Sequence, residues 1–189
     1  MNARPAVAVI DDFLDDPDRV RELALRQQFH TSAGYKGRRT HEQFLDDSTR
    51  EAFEKVLVRP ITRWQEHEMN GTFQICTAVD PVVYHTDLQT HAGTIYLTPD
   101  APVEAGLSLY RSRRDGNHRR AAGLSAGEID DMFGGFYDKT IWEEVDRIGN
   151  LYNRLVLWDG SLVHAASCYF GQGLTDGRLF QMFFFDCAA

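Results

Sequence analysis

The chain has 189 residues, 43% of them hydrophobic and 12% aromatic, which suits one domain with a sizeable core. A net charge of −8 argues against generic nucleic-acid binding, and no apolar run approaches the roughly 18 residues of a membrane span. The N-terminus turns acidic too soon for a secretory signal, and Cys76, Cys168 and Cys187 are scattered with no CxxC, so a reduced, cytoplasmic protein is expected.

In chain order, Ala6–Ile10 reads as a first strand. Asp16-Pro17 reads as an N-cap followed by proline at the first helical position, with Val20, Leu23 and Ala24 at helical spacing behind it. Ser48-Thr49-Arg50-Glu51 reads as a capping box ahead of the stripe Phe53, Val56 and Leu57. Pro60 then ends that helix or opens a short one carrying Ile61 and Trp64. Residues 1–70 are therefore expected to be mostly helical support.

From Thr72 the texture changes to short β-type runs: TFQICTAV, VVYHTD, GTIYLT, GLSLY, RLVLW, SLVHAA and RLFQMFFFD. Turn signals such as Asp80-Pro81, Asp159-Gly160 and Asp176-Gly177 separate them. A helical insert is expected near 126–147, where Ile141, Val145 and Ile148 recur at i, i+4, i+7. The expected architecture is one domain, mostly β with N-terminal helices (α+β), whose residues 71–189 form a two-sheet sandwich or jelly roll.

Three residues carry the chemistry. His85 and Asp87 are two apart, so on a strand they share a face, and His164 follows seventy-seven positions after Asp87 in another β-type run. Two imidazoles and one carboxylate converging on a point form the facial arrangement that holds non-heme Fe(II) and leaves positions open for a co-substrate and O₂. The plain alternative is a surface His-x-Asp plus a satisfied core histidine. The order of the segments YHTD (84–87), AGTIYLTPD (92–100), LVLWDGSLVHAA (155–166) and RLFQMFFFD (178–186) resembles the Fe(II)/2-oxoglutarate-dependent dioxygenase superfamily, in its prolyl-hydroxylase-like branch.

That resemblance implies a double-stranded β-helix (jelly-roll, cupin-like) core with supporting helices. It implies Fe(II) on His85, Asp87 and His164, and 2-oxoglutarate with its distal carboxylate on Arg178, with Tyr96 and Thr94 beside it; Gln74 is a weaker candidate for the keto-acid end. The implied reaction consumes O₂ and 2-oxoglutarate, releases succinate and CO₂, and hydroxylates a C–H bond, the substrate being a small molecule or an amino-acid or peptidyl side chain. An aspartate at 87 favours hydroxylation over halogenation, for which relatives carry a small residue there. Two departures stand out: the glycine-rich CYFGQGLTDG lengthens the stretch between His164 and Arg178, and Phe180 stands where many relatives have a small hydroxyl residue. Two rival readings are a cupin-like metalloenzyme that does not use 2-oxoglutarate and a non-enzymatic jelly-roll binding module.

Other features have plainer expectations. His91 reads as a loop histidine near the pocket mouth, and Glu66-His67-Glu68 as a solvated helix face whose residues do not converge. The arginine-rich stretch Tyr110–Arg120 reads as a solvated loop, with anion recognition at the site entrance as the alternative. Met132, Phe133, Phe136, Tyr137 and Trp142 read as core or lid packing.

Overall fold

The computed structural model describes residues 5–32, 36–121 and 137–188. Among them the strands are β1 (Val7–Ile10), β2 (Arg38–Arg39), β3 (Ile61–Arg63), β4 (Phe73–Cys76), β5 (His91–Tyr96), β6 (Leu107–Ser112), β7 (Trp142–Ile148), β8 (Leu155–Asp159), β9 (His164–Ala166) and β10 (Arg178–Cys187), with helices α1 (Pro17–Leu25) and α2 (Asp47–Leu57). The major sheet runs β1-β8-β5-β10-β4-β2, with β3 on the end of β10; the minor sheet runs β7-β6-β9. The paired strands are antiparallel, and the two sheets form a jelly-roll core that is not closed into a barrel. The expected fold class is borne out.

Period-two alternation sorts the side chains of the major sheet. On β10, Leu179, Phe183 and Phe185 face the helices and join Phe73, Ile75, Ile95 and Leu157 in one core with Phe53, Leu57 and Trp64. Burying each of these large side chains is worth about 1.5–3 kcal/mol. Phe53 anchors α2 there, edge-on to Phe183 at 4.9 Å and to Trp64 at 5.7 Å between ring centres. The opposite face carries Phe180, Met182 and Phe184 of β10, paired in register with Tyr96, Thr94 and Ala92 of β5. With Val156 and Trp158 of β8 these form the second core, between the sheets.

The helix starts are local. Asp16 caps α1, accepting from Arg19 N at 3.0 Å, and Pro17 sits where no N–H is needed. The cap of α2 is Asp46 and not the expected box at Ser48: its carboxylate takes both Thr49 N and Thr49 Oγ1 at 2.7 Å, so the ionised residue two positions earlier captures the free donors.

Four expectations are corrected. Residues 137–147 hold no α-helix: a single 3-10 helical turn (Lys139–Ile141) leads into β7, paired with β6 from Leu107↔Ile148 to Ser112↔Trp142. β7 is an edge strand, mostly exposed and charged, so it lacks the alternation that betrays a strand, and its β-branched residues are weak helix formers. The rest of the expected insert, 126–136, lies outside the described residues, as do Met132, Phe133 and Phe136 of the aromatic cluster; Trp142 is buried with Tyr84 and Tyr110. After Pro60 comes β3 and not a helix, because Ile61 and Arg63 find the C-terminal end of β10. Among the described residues of 1–70, helix is thus confined to α1 and α2. Finally, the VVYHTD run makes no regular strand; His85 forms a lone bridge to His164.

Candidate active site

That lone bridge builds the site. His85 N donates to His164 O at 3.0 Å, and His164 N returns the bond to His85 O at 2.9 Å. Residues that exchange both bonds lie directly opposite each other, and their side chains leave on one face; the imidazole centres are 4.4 Å apart. Asp87, two residues on, is fixed by its own N–H to Gly160 O at 2.8 Å. Gly160 must be glycine, since a Cβ there would strike Gln89 O and sit 3.3 Å from Asp87 Cβ. Nε2 of His85 lies 3.7 Å from one Asp87 carboxyl oxygen, and Nε2 of His164 lies 3.4 Å from the other. One ligand atom from each of the three residues falls within 4.8 Å of the others.

The tautomers follow from the backbone. His85 Nδ1 is 3.1 Å from Val83 O and His164 Nδ1 is 2.9 Å from Leu162 O. A carbonyl only accepts, so each Nδ1 carries the proton and each Nε2 offers its lone pair to the centre of the triad. Burial pushes the pKa of His164 down to about 4, against the pull of the Asp87 charge, with His85 lowering it further, so its ring is neutral near pH 7. Trp158 Nε1 donates to an Asp87 oxygen at 3.3 Å. Asp87, 7% exposed, has no Lys or Arg against its carboxylate among the described residues. A buried carboxylate facing two lone pairs is chemically incomplete without a cation, and two imidazoles with one carboxylate suit a divalent first-row metal.

Arg178 opens β10 and borders the same cavity, of about 110 Å³, as the triad. Only 4% exposed, it donates through Nε to Ala105 O at 3.0 Å and through Nη2 to Gly106 O at 3.3 Å. Its guanidinium carbon lies 4.3 Å from the Phe180 ring centre, 5.2 Å from that of Tyr96 and 5.7 Å from that of Tyr169. No carboxylate among the described residues pairs with it, so a buried cation retains N–H donors for an anionic ligand. Thr94 also borders the cavity, and its buried hydroxyl has no partner. Tyr96 is fully buried beside the Arg178 guanidinium, but it does not border the cavity. Gln74 borders the cavity with its amide already engaged, accepting from Arg39 Nε at 2.6 Å and donating to Lys36 O at 2.8 Å.

Three residues went unread in the sequence: Trp158 lies in the run RLVLW, Arg39 sits on the two-residue β2, and Tyr169 comes from the loop before Arg178. Arg120, of the arginine-rich stretch, reaches the site through Nη2, which donates to Asp87 O at 3.0 Å. None has a spacing motif; tertiary packing alone brings them to the site. His91 is not a loop residue: it begins β5, is buried on the helix-facing side and stacks on Phe185 at 5.7 Å. Glu66-His67-Glu68 lies in turns, and His67 meets Asp186 at 3.1 Å. Within the Arg-rich loop, Arg111 pairs with Glu143 at 2.7 Å and Arg113 Nε donates to Trp142 O at 2.9 Å.

Solved structures share this fold. HygX from Streptomyces hygroscopicus, crystallised with nickel and 2-oxoglutarate bound, matches with a TM-score of 0.57 at 12% identity over 94% of this chain and 81% of that one. HygX with nickel, 2-oxoglutarate and hygromycin B bound matches at 0.56 and 14% identity, over 94% and 81%. AviO1 from Streptomyces viridochromogenes Tue57 matches at 0.57 and 13% identity, over 98% and 92%. At these identities the likeness is one of fold, and at that level the resemblance read from the sequence stands. No curated protein matches the sequence. A family model described as "Family of unknown function (DUF6445)" matches residues 1–184.

Proposed function

We propose that this chain, which belongs to the DUF6445 family, is a single-domain, cytoplasmic, non-heme Fe(II)- and 2-oxoglutarate-dependent oxygenase that hydroxylates a C–H bond and releases succinate and CO₂. The observation that carries the reading is the pairing, in one small cavity, of a His-Asp-His triad with a buried guanidinium that has no acidic partner among the described residues. In this reading His85 Nε2, His164 Nε2 and one Asp87 oxygen hold the metal. Together, bound iron and 2-oxoglutarate supply the O₂-activating oxidative chemistry.

The chain's own residues supply position and exclusion. The Val83 and Leu162 carbonyls hold both imidazoles with the metal-facing nitrogen unprotonated. The Trp158 indole restrains the Asp87 carboxylate that would otherwise rotate. Arg178 receives the distal carboxylate through a planar fork, with the Thr94 hydroxyl beside it. Phe180, Met182 and Phe184 line the cavity with apolar surface that limits water. Residue 87 is a carboxylate that would be a ligand and not the small residue of the related halogenases, so hydroxylation is the expected outcome. The substrate is a small molecule or a peptidyl side chain; HygX, of the same fold, has been crystallised with hygromycin B.

The test is reconstitution with Fe(II) and 2-oxoglutarate in air, with succinate measured. Wild-type chain should release succinate even without the true substrate, and His85→Ala and Asp87→Ala should not. Undiminished succinate release from His85→Ala, or none from iron-loaded wild type, would overturn the assignment.

A further inference from the structure

A second cavity, of about 480 Å³, adjoins the Asp87 backbone but is lined by none of the triad. It lies where the start of β5 and the end of β8 meet the C-terminal end of α2, and Arg59, Arg119 and Arg120 all border it, with Thr90, His91 and Ser161. Three guanidiniums around one concavity repel one another, and such a local positive cluster stands out on a chain of net charge −8.

The acids nearby do not cancel them. Asp159 is the one carboxylate among the described lining residues; it accepts from Arg119 at 2.5 Å and from Ser161 N and Oγ at 2.9 and 2.6 Å. Asp186 is turned to His67, Arg63 and the Thr90 N–H. Arg59 makes no ion pair and no side-chain hydrogen bond with any described residue, and its Nε is buried without a partner. Arg120 uses Nη2 on the Asp87 and Leu88 carbonyls, at 3.0 and 3.4 Å, while its Nε is likewise buried and unmatched. The contrast with Arg111, Arg147 and Arg154 is direct, because each of those meets a carboxylate at 2.6–2.7 Å. The cavity therefore has net positive charge, two hydroxyl side chains and unspent guanidinium donors, which is the chemistry that recognises tetrahedral or planar oxyanions.

We infer that this cavity is a second anion-binding site, which takes a phosphate- or carboxylate-bearing small molecule on Arg59, Arg119 and Arg120, separately from the pocket of Arg178. It gives part of the arginine-rich stretch 111–120 a role that ion pairing does not exhaust. The site needs neither iron nor turnover, so it stands or falls independently of the proposed oxygenase activity.

The test titrates inorganic phosphate, and in a second arm succinate, into metal-free full-length chain by calorimetry at constant ionic strength set with chloride. Saturable binding of at least one anion is expected, and the arm that saturates identifies the oxyanion class. Arg59→Gln should weaken it by about tenfold, as for one lost charge-assisted contact, while Arg178→Gln should leave the phosphate isotherm unchanged. Arg120→Gln should weaken it as well; should that variant fold poorly for want of its contacts to Asp87 and Leu88, Arg59→Gln, which removes no bond of the fold, decides alone. No saturable binding of either anion, equal binding by Arg59→Gln, or loss of phosphate binding in Arg178→Gln would overturn the inference.

Discussion

Replacing Arg178 by Gln separates ligand binding from metal binding, because the guanidinium touches the cavity but none of the three metal-binding candidates. In the fold it serves two carbonyls, Ala105 O at 3.0 Å and Gly106 O at 3.3 Å, and it lies among three aromatic rings. Gln keeps one amide donor for those carbonyls, so the structural loss should be that of one buried hydrogen bond, about 1–3 kcal/mol. Loss of a two-pronged contact to a carboxylate removes two charge-assisted bonds, and after desolvation that is about 2–4 kcal/mol. At about 1.4 kcal/mol per decade, 2-oxoglutarate affinity should fall by roughly 30- to 700-fold. The assay is calorimetric titration of 2-oxoglutarate into manganese-loaded chain, with manganese affinity and thermal stability measured in parallel. Manganese binding should hold within about twofold. A variant that binds 2-oxoglutarate as tightly as wild type, with its stability intact, would refute the assignment of Arg178 to the distal carboxylate.

Three further outcomes follow from the same geometry. Trp158→Phe keeps the aromatic packing but removes the indole N–H from Asp87, and chelator competition should show metal affinity lowered by about tenfold. Gly160→Ala drives a methyl group into Gln89 O and against Asp87 Cβ; it should destabilise the chain by about 1–3 kcal/mol in denaturant unfolding and weaken metal binding at once. In the metal-free chain, His164 has a folded pKa of about 4 against an ordinary 6.5, so its contribution is complete above pH 6.5 and is lost as pH falls toward 4. Unfolding free energy should drop over that window by about 3 kcal/mol, and His164→Gln should flatten that part of the profile.

Much of the major sheet could be read residue by residue. The run RLFQMFFFD was legible as a strand, and in the structure Leu179, Phe183 and Phe185 take one of its faces and Phe180 and Met182 the other. Asp16-Pro17 announced α1 because a cap and a proline act within one turn. The misreadings share a cause. Trp142–Ile148 and Ile61–Arg63 are short edge segments whose state is set by a distant partner strand, and nothing local records that β6 or β10 has an edge to fill. Likewise the cap of α2 moved from Ser48 to Asp46, whose carboxylate accepts from Thr49 N and Thr49 Oγ1 and from the Ser48 hydroxyl itself, so the expected cap becomes a donor to the real one.

Which ligand types are present, their order along the chain and the run of short strands are written in residue identity and short-range periodicity. It took folding to make His85 and His164 opposite partners in a two-residue bridge, to let Asp87 approach them past Gly160, and to bury Arg178 beside them with no acid paired to it among the described residues. The first two of these relations join residues more than seventy positions apart, and all depend on backbone hydrogen bonds and excluded volume, which carry no signature in the spacing of letters along a chain.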